Sequence, residues 1–189
     1  MLMADTILRD LWRDPLPADI EAGITAEKLV LMIRDIMRTD LNEHEKGTRQ
    51  QGGHTLRDHV GKTRPEMIQR LLDAERLYET STFYHGQEFA ETVVAKAILS
   101  DLHRVYNWYY KIDNPPGGVI ARAGGKKDFI LIKVESNFPV GTQVKLLNDG
   151  TFEEAICSHV FVKIIRGNIA GRNKYIVTSF PCIPRPEAS

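Results

Sequence analysis

One break divides this chain into two halves of different period. Asn114-Pro115-Pro116-Gly117-Gly118 can extend neither a helix nor a strand, because proline lacks the amide donor and paired glycines favour turns. Before the break, apolar residues recur at helical spacing. Phe89, Val93, Ala97, Ile98, Val105, Trp108 and Ile112 form a stripe that predicts a long helix from about Gln87 to Lys111. After the break the period shortens. Phe129 to Val134 is a compact apolar run with β-branched residues and predicts a strand; Gly141 to Lys145 predicts another. Asn148-Asp149-Gly150 signals a turn. Cys157 to Ile165 and Lys174 to Phe180 alternate as strands, joined by a hairpin loop over Gly167 to Asn173. Helices first and antiparallel strands afterwards specify an α+β fold.

The N-terminal part reads as helical. Residues 5 to 13 predict a short helix ended by Pro15 and Pro17. Thr25 is placed to cap a second, with Leu29, Ile33, Ile36 and Met37 among its apolar positions. Residues 42 to 53 are polar, contain Gly47, Gly52 and Gly53, and read as a linker. The expected organisation is an accessory segment over 1–50 and a main domain over 51–184. The accessory helices either dock to another component or pack on the main domain.

Composition narrows the function. Lys plus Arg and Asp plus Glu are 25 each, so the formal net charge is zero. Bulk electrostatic attraction to nucleic acid is thereby unsupported, and an RNA site must be a local patch. Cys157 and Cys182 are too few for a disulfide scaffold and read as ordinary thiols on or beside strands. No apolar run is long enough to span a membrane. Met1-Leu2-Met3-Ala4-Asp5-Thr6 lacks the basic and apolar regions of a signal peptide. Export would use a signal outside this chain or another route.

The densest chemistry runs from Gly52 to Leu72. His54 to Val60 can form a short helix, with Gly61 where a C-terminal cap would be. Thr63 and Glu66 have capping-box spacing, with Pro65 in the first turn, so a second helix should start near Arg64. Its apolar stripe is Met67, Leu71, Ala74 and Tyr78, and Arg70 flanks that stripe with its head able to reach a site. Ser81-Thr82 reads as a break and cap before the long helix.

Gly53-His54-Thr55-Leu56-x-x-His59-Val60-Gly61-Lys62-Thr63, then Arg70-Leu71, resembles the ribonuclease A-like toxin domain at the C-terminus of bacterial CdiA-type contact-dependent growth-inhibition toxins and related polymorphic toxins. The resemblance continues through Ser81-Thr82-Phe83 and Ala90 and closes on Tyr175-x-Val177-Thr178-Ser179-Phe180-Pro181. It implies a ribonuclease A-like α+β fold and an endoribonuclease that works without a cofactor. It also implies a cognate immunity protein as partner, an RNA substrate, a monomer, and delivery by a secretion system into a target-cell cytoplasm.

The resemblance places a catalytic histidine on His59, a catalytic arginine on Arg70 and a strand threonine on Thr178. Those types suit internal RNA cleavage. Histidine titrates near neutrality and can move protons, and the arginine fork matches two phosphate oxygens. The family tyrosine falls on Phe180, which lacks the hydroxyl. With a hairpin turn near Ala170, His159 is expected opposite Phe180 and Phe161 opposite Thr178, which would bring His159 in as a second acid or base. His54 is another candidate for that role, against an N-cap or structural hydrogen bond. Lys62 could contact phosphate or stay solvated. His44, His85 and His103 read as surface or packing residues.

Two other classes compete. A metalloenzyme using His54 and His59 lacks the usual helical His pair spacing and any acidic partner in the motif beyond Asp58, so no metal is expected. A non-catalytic RNA-binding or protein-interaction module on the same fold is favoured by Phe180 and by the neutral charge.

Overall fold

The structure is a computed structural model; it describes residues 28, 31–33, 40–45, 53–75, 77–110, 129–169 and 172–184. The described elements are α1 (Leu41–Glu45), α2 (Thr55–His59), α3 (Arg64–Asp73), β1 (Glu79–Phe83), α4 (Gly86–Ser100), α5 (Leu102–Tyr110), β2 (Phe129–Glu135), β3 (Gly141–Leu146), β4 (Phe152–Cys157), β5 (His159–Ile169) and β6 (Arg172–Cys182). This is an α+β fold with two antiparallel three-stranded sheets, ordered β1-β3-β4 and β2-β5-β6.

The core lies between the helices and the inner face of β2-β5-β6. Ile130, Ile132, Val160, Val162, Ile164 and Ile176 meet Val93, Val94, Ala97 and Ile98 of α4 and Val105 and Trp108 of α5 in one apolar cluster. Each fully buried aliphatic side chain there contributes about 1.5–3 kcal/mol. Met32, Ile33 and Leu41 belong to the same cluster. Sheet β1-β3-β4 meets β6 at Gly141, where a Cβ would lie 2.2 Å from the Thr82 carbonyl oxygen and 2.5 Å from Pro181 Cγ. Only glycine allows so close an approach.

Several expectations are corrected. The helix expected over Gln87 to Lys111 is two helices. Ser100-Asp101 are poor helix formers; Asp101 leaves helical geometry and binds Arg104 Nε at 2.7 Å, while its carbonyl accepts the Val105 N–H at 3.0 Å. Ser81-Thr82 is not a break but the middle of β1, paired with Gln143 and Thr142. The stripe on α3 is shorter than expected: Met67 and Leu71 are buried, but the helix ends at Asp73 and Tyr78 is exposed. The strand expected from Cys157 divides at Ser158 into β4 and β5, and the hairpin strands run on to Ile169 and Arg172. Residues 42–45 of the expected linker belong to the helix Leu41–Glu45, with Leu41 and His44 buried. The expected helix over 5–13, the Thr25 cap with Leu29, Ile36 and Met37, and the break at Asn114–Gly118 lie outside the described residues.

The β5–β6 pairing carries two irregularities. Lys163 faces Thr178 but Ile164 faces Ile176, so Val177 is an extra residue on β6. A second shift between Arg166 and Ile169 adds a residue on β5. A bulge reverses the face on which later residues fall. Ile176 and Ser179 therefore both lie on the buried face, while Thr178 and Phe180 lie on the other.

Candidate active site

The site is built where α2, tied to α3 through Asp58 and Arg70, packs against β1 and β6, while α3 itself lies on β1 and β3. The Glu45 carboxylate of α1 caps α2, accepting the N–H groups of Leu56 and, at 3.3 Å, of Arg57. Burial pushes the Glu45 carboxyl up, and those two hydrogen bonds oppose the shift. At the start of α3 the Glu66 carboxylate accepts the Thr63 N–H and hydroxyl, each at 2.7 Å, as the spacing predicted. Gly61 lies between the helices with φ +66°.

His59 ends α2 with only 8% of its surface exposed. Its Nδ1 lies 2.9 Å from the Ser81 carbonyl oxygen. A carbonyl only accepts, so Nδ1 carries the proton and Nε2 is the nitrogen with a lone pair. Burial pushes the imidazole down to about 4; the Ser81 carbonyl opposes this and the Arg70 charge adds to it. At neutral pH His59 is an uncharged base in a fixed tautomer.

Arg70 lies in the last turn of α3. Its Nη1 donates to the Asp58 carbonyl oxygen at 2.8 Å, and its Nη2 is 3.2 Å from Asp58 Oδ2. The carboxylate also accepts Arg57 Nε at 3.0 Å. Burial pushes Asp58 up, but the Arg57 hydrogen bond and the Arg70 and Arg57 charges outweigh it and hold the carboxyl below its usual range. Asp58 thus ties the guanidinium of α3 to the turn that carries His59.

From the sheet, Phe180 sets its ring 5.1 Å from the His59 ring and 4.8 Å from Phe161, on which it stacks. Thr178, two residues before Phe180 on the same face, is buried, and its Oγ1 has no hydrogen-bond partner among the described residues.

His54 stands at the N-cap position of α2 but makes no capping bond with its side chain. Its ring is 6.2 Å from that of His59. Burial lowers its proton affinity, with Arg57, Arg70 and Lys163 adding to the effect and Asp58 opposing it. His159 is corrected: it faces Cys182, and Phe161 faces Phe180. The hairpin closes with Ile169 facing Arg172, which moves the register by two residues, and the extra residues on β5 and at Val177 on β6 offset each other. His159 therefore sits a full row beyond the expected one, 3.3 Å from Ser158 Oγ. Lys62 donates its backbone N–H to Thr82 Oγ1 at 3.1 Å, and its charge acts on exposed Glu66.

The sequence reading missed Lys163 near this site and set Phe161 opposite Thr178 rather than Phe180. Phe161 and Lys163 alternate with buried Val160, Val162 and Ile164, so β5 turns both toward the His59 side. Lys163 faces Thr178, rests its Nζ 4.7 Å from the Phe129 ring centroid, and forms no ion pair among the described residues. The alternation was visible in the sequence, but the partner across the strand was not. Of the histidines read as surface or packing, His85 and His103 are exposed and His44 is buried. Among the described residues no three of His, Cys, Asp and Glu are grouped to hold a metal ion, and no helix is long and apolar enough to cross a membrane.

Comparison with known proteins bears on this arrangement. No curated protein matches the chain. Among solved structures it is similar to a CdiA-CT/CdiI complex from Y. kristensenii, at 24% identity and a TM-score of 0.51, over 69% of this chain and 100% of that one. That likeness agrees with the α+β fold. The family described as Bacterial CdiA-CT RNAse A domain matches residues 53–181, which hold every described residue of the His59 cluster except Glu45. More than half the chain is covered, and the protein is a member of that family of toxin ribonuclease domains.

Proposed function

We propose that this domain is an endoribonuclease that cleaves RNA by internal transphosphorylation. The observation that carries the reading is the pairing of a neutral, tautomer-fixed His59 with the Arg70 guanidinium through Asp58. In this reaction the substrate 2′-oxygen attacks phosphorus and the bond to the 5′-oxygen breaks. His59 Nε2 takes the 2′-hydroxyl proton. Arg70 binds the phosphoryl oxygens as charge builds on them, and the Thr178 hydroxyl donates to another. The leaving 5′-oxygen takes a proton from His54, the second imidazole near the site. An anionic phosphate beside both rings favours their protonated forms, opposing the effect of burial. The product is a 2′,3′-cyclic phosphate, and DNA, which lacks the 2′-hydroxyl, is spared.

The chemistry assigned here uses proton transfer and a cation, not metal-bound water. In excess EDTA the purified protein should cut RNA to cyclic-phosphate ends, leave a matched DNA strand intact, and lose activity in His59→Ala. Activity abolished by EDTA and restored by Mg²⁺ would overturn the mechanism.

The role we assign is that of a toxin delivered into competing bacteria, acting as a monomer in the target cytoplasm and held in check by a cognate immunity protein. Family membership supports this, as does the likeness to one component of a CdiA-CT/CdiI complex. We place the start of the catalytic unit ahead of α1, because Glu45 caps the helix that bears His59. A second reading, a non-catalytic RNA-binding module, draws on Phe180, whose ring stacks on Phe161 and offers no hydroxyl.

A further inference from the structure

We infer that His44 and Thr55 are positioning residues that hold the bulge at Val177 and so aim Thr178 into the site. Ile176 and Ser179 are three apart, and in a regular strand their N–H groups would point to opposite edges. With Val177 bulged, both reach the helical edge of β6. There His44 Nδ1 accepts the Ile176 N–H at 3.1 Å, and Thr55 Oγ1 accepts the Ser179 N–H at 2.8 Å. Both bonds are buried, so losing either acceptor leaves an amide unsatisfied in the interior.

The two acceptors are themselves fixed to each other. The His44 carbonyl accepts the Gly53 N–H at 2.9 Å, and Glu45 next to it caps α2, which begins at Thr55. Gly53 has room for no side chain, since a Cβ there would lie 2.5 Å from the Ile176 carbonyl oxygen and 2.9 Å from that of His44. Leu41 anchors the same helix by burial and by its N–H, which donates to Glu91 Oε1 at 3.0 Å. The clamp thus grips β6 on both sides of Thr178. Without the bulge, Thr178 and Ile176 would share a face, and either the hydroxyl would enter the core or the isoleucine would leave it. His44 lies before the segment that matches the family, so the active geometry depends on residues upstream of it.

The activity part of this inference rests on the proposed RNA cleavage; the structural part does not. The test uses the full chain with His44→Leu, His44→Asn, which keeps an acceptor near the Nδ1 position, and Thr55→Val. The cross-strand NOE between Lys163 and Thr178 and the exchange rates of the Ile176 and Ser179 amides report the clamp directly. We expect His44→Leu to speed Ile176 exchange at least about tenfold, as expected for a lost buried hydrogen bond, and to weaken the NOE. His44→Asn should retain both, and Thr55→Val should act in the same way on Ser179. If His44→Leu does not fold, Thr55→Val decides alone. In cleavage, His44→Leu should lower kcat with KM little changed, and that loss should vanish in a Thr178→Ala background. An unaltered NOE and protected amides in the folded variants would overturn the inference. So would an equal kcat loss with and without the Thr178 hydroxyl. If the wild-type protein cuts no RNA, the proposed reaction falls, and the NOE and exchange data still decide the clamp.

Discussion

The rings of His59 and Phe180 stand 5.1 Å apart, tilted by 35°, and Phe180 in turn stacks on Phe161 at 4.8 Å. An aromatic wall therefore packs against the His59 imidazole where the family resemblance places a tyrosine. The wall helps bury His59 and so helps keep it neutral, but it supplies no hydrogen bond to phosphate.

Phe180→Tyr should raise the rate of RNA cleavage several-fold, since one added hydrogen bond contributes about 0.5–1.5 kcal/mol. His159→Ala should leave the rate nearly unchanged, because His159 faces Cys182 in the outer row. Steady-state rates on one RNA substrate check both, and a large loss in His159→Ala would return that residue to the site.

Arg70→Lys should lower kcat/KM by about 10²–10³-fold, the scale for removing one oriented donor to a transition-state charge. Lysine keeps the charge but cannot donate to both the Asp58 carbonyl and carboxylate in the geometry of the fork. The melting temperature should fall only slightly, because the side chain is partly exposed and such ion pairs contribute little. Kinetics and calorimetry on the same preparation separate the two effects.

His59 makes stability depend on pH. Its folded-state value of about 4 lies below the ordinary 6.5, so between these values the unfolded chain binds more protons than the fold. Stability should be complete above about pH 6.5, fall as the pH drops toward 4, and level off below it. The full loss is on the order of 3 kcal/mol. Urea denaturation of wild type and His59→Gln across that window checks the assignment, and the variant should show a flatter profile. The acid limb of kcat/KM, which reports the free enzyme, should likewise lie well below pH 6.5.

Lys163→Ala should raise the proton affinity of His54, since the lysine charge is among those that disfavour the imidazolium. An NMR titration of the His54 ring reads this without reference to activity. A downward or absent shift would place the lysine charge away from the site.

The α+β order was legible because period, length and turn residues agree over Phe129–Val134, Gly141–Lys145 and Asn148-Asp149-Gly150. The capping box at Thr63 and Glu66 was legible for the same local reason. Nonlocal pairing was not. Ser81-Thr82 reads as a break and cap until β3 lies beside it, and the Ser81 carbonyl then fixes the tautomer of His59. The single extra residue at Val177 leaves no mark in the alternation of Lys174 to Phe180, yet it puts Ile176 and Thr178 on opposite faces of β6. His44 looked incidental because its partner, the Ile176 amide, lies 132 residues away in the chain.

Strand β6 lies at the border of its sheet. A border strand usually offers a row of bare amides to any extended peptide that drifts past, including a second copy of the same protein. Here the amides of Ile176 and Ser179 already have ligands, supplied by an imidazole and a hydroxyl from short helices rather than by another strand. The border is closed over its middle, and the chain carries its own guard against sticking to its siblings along that margin.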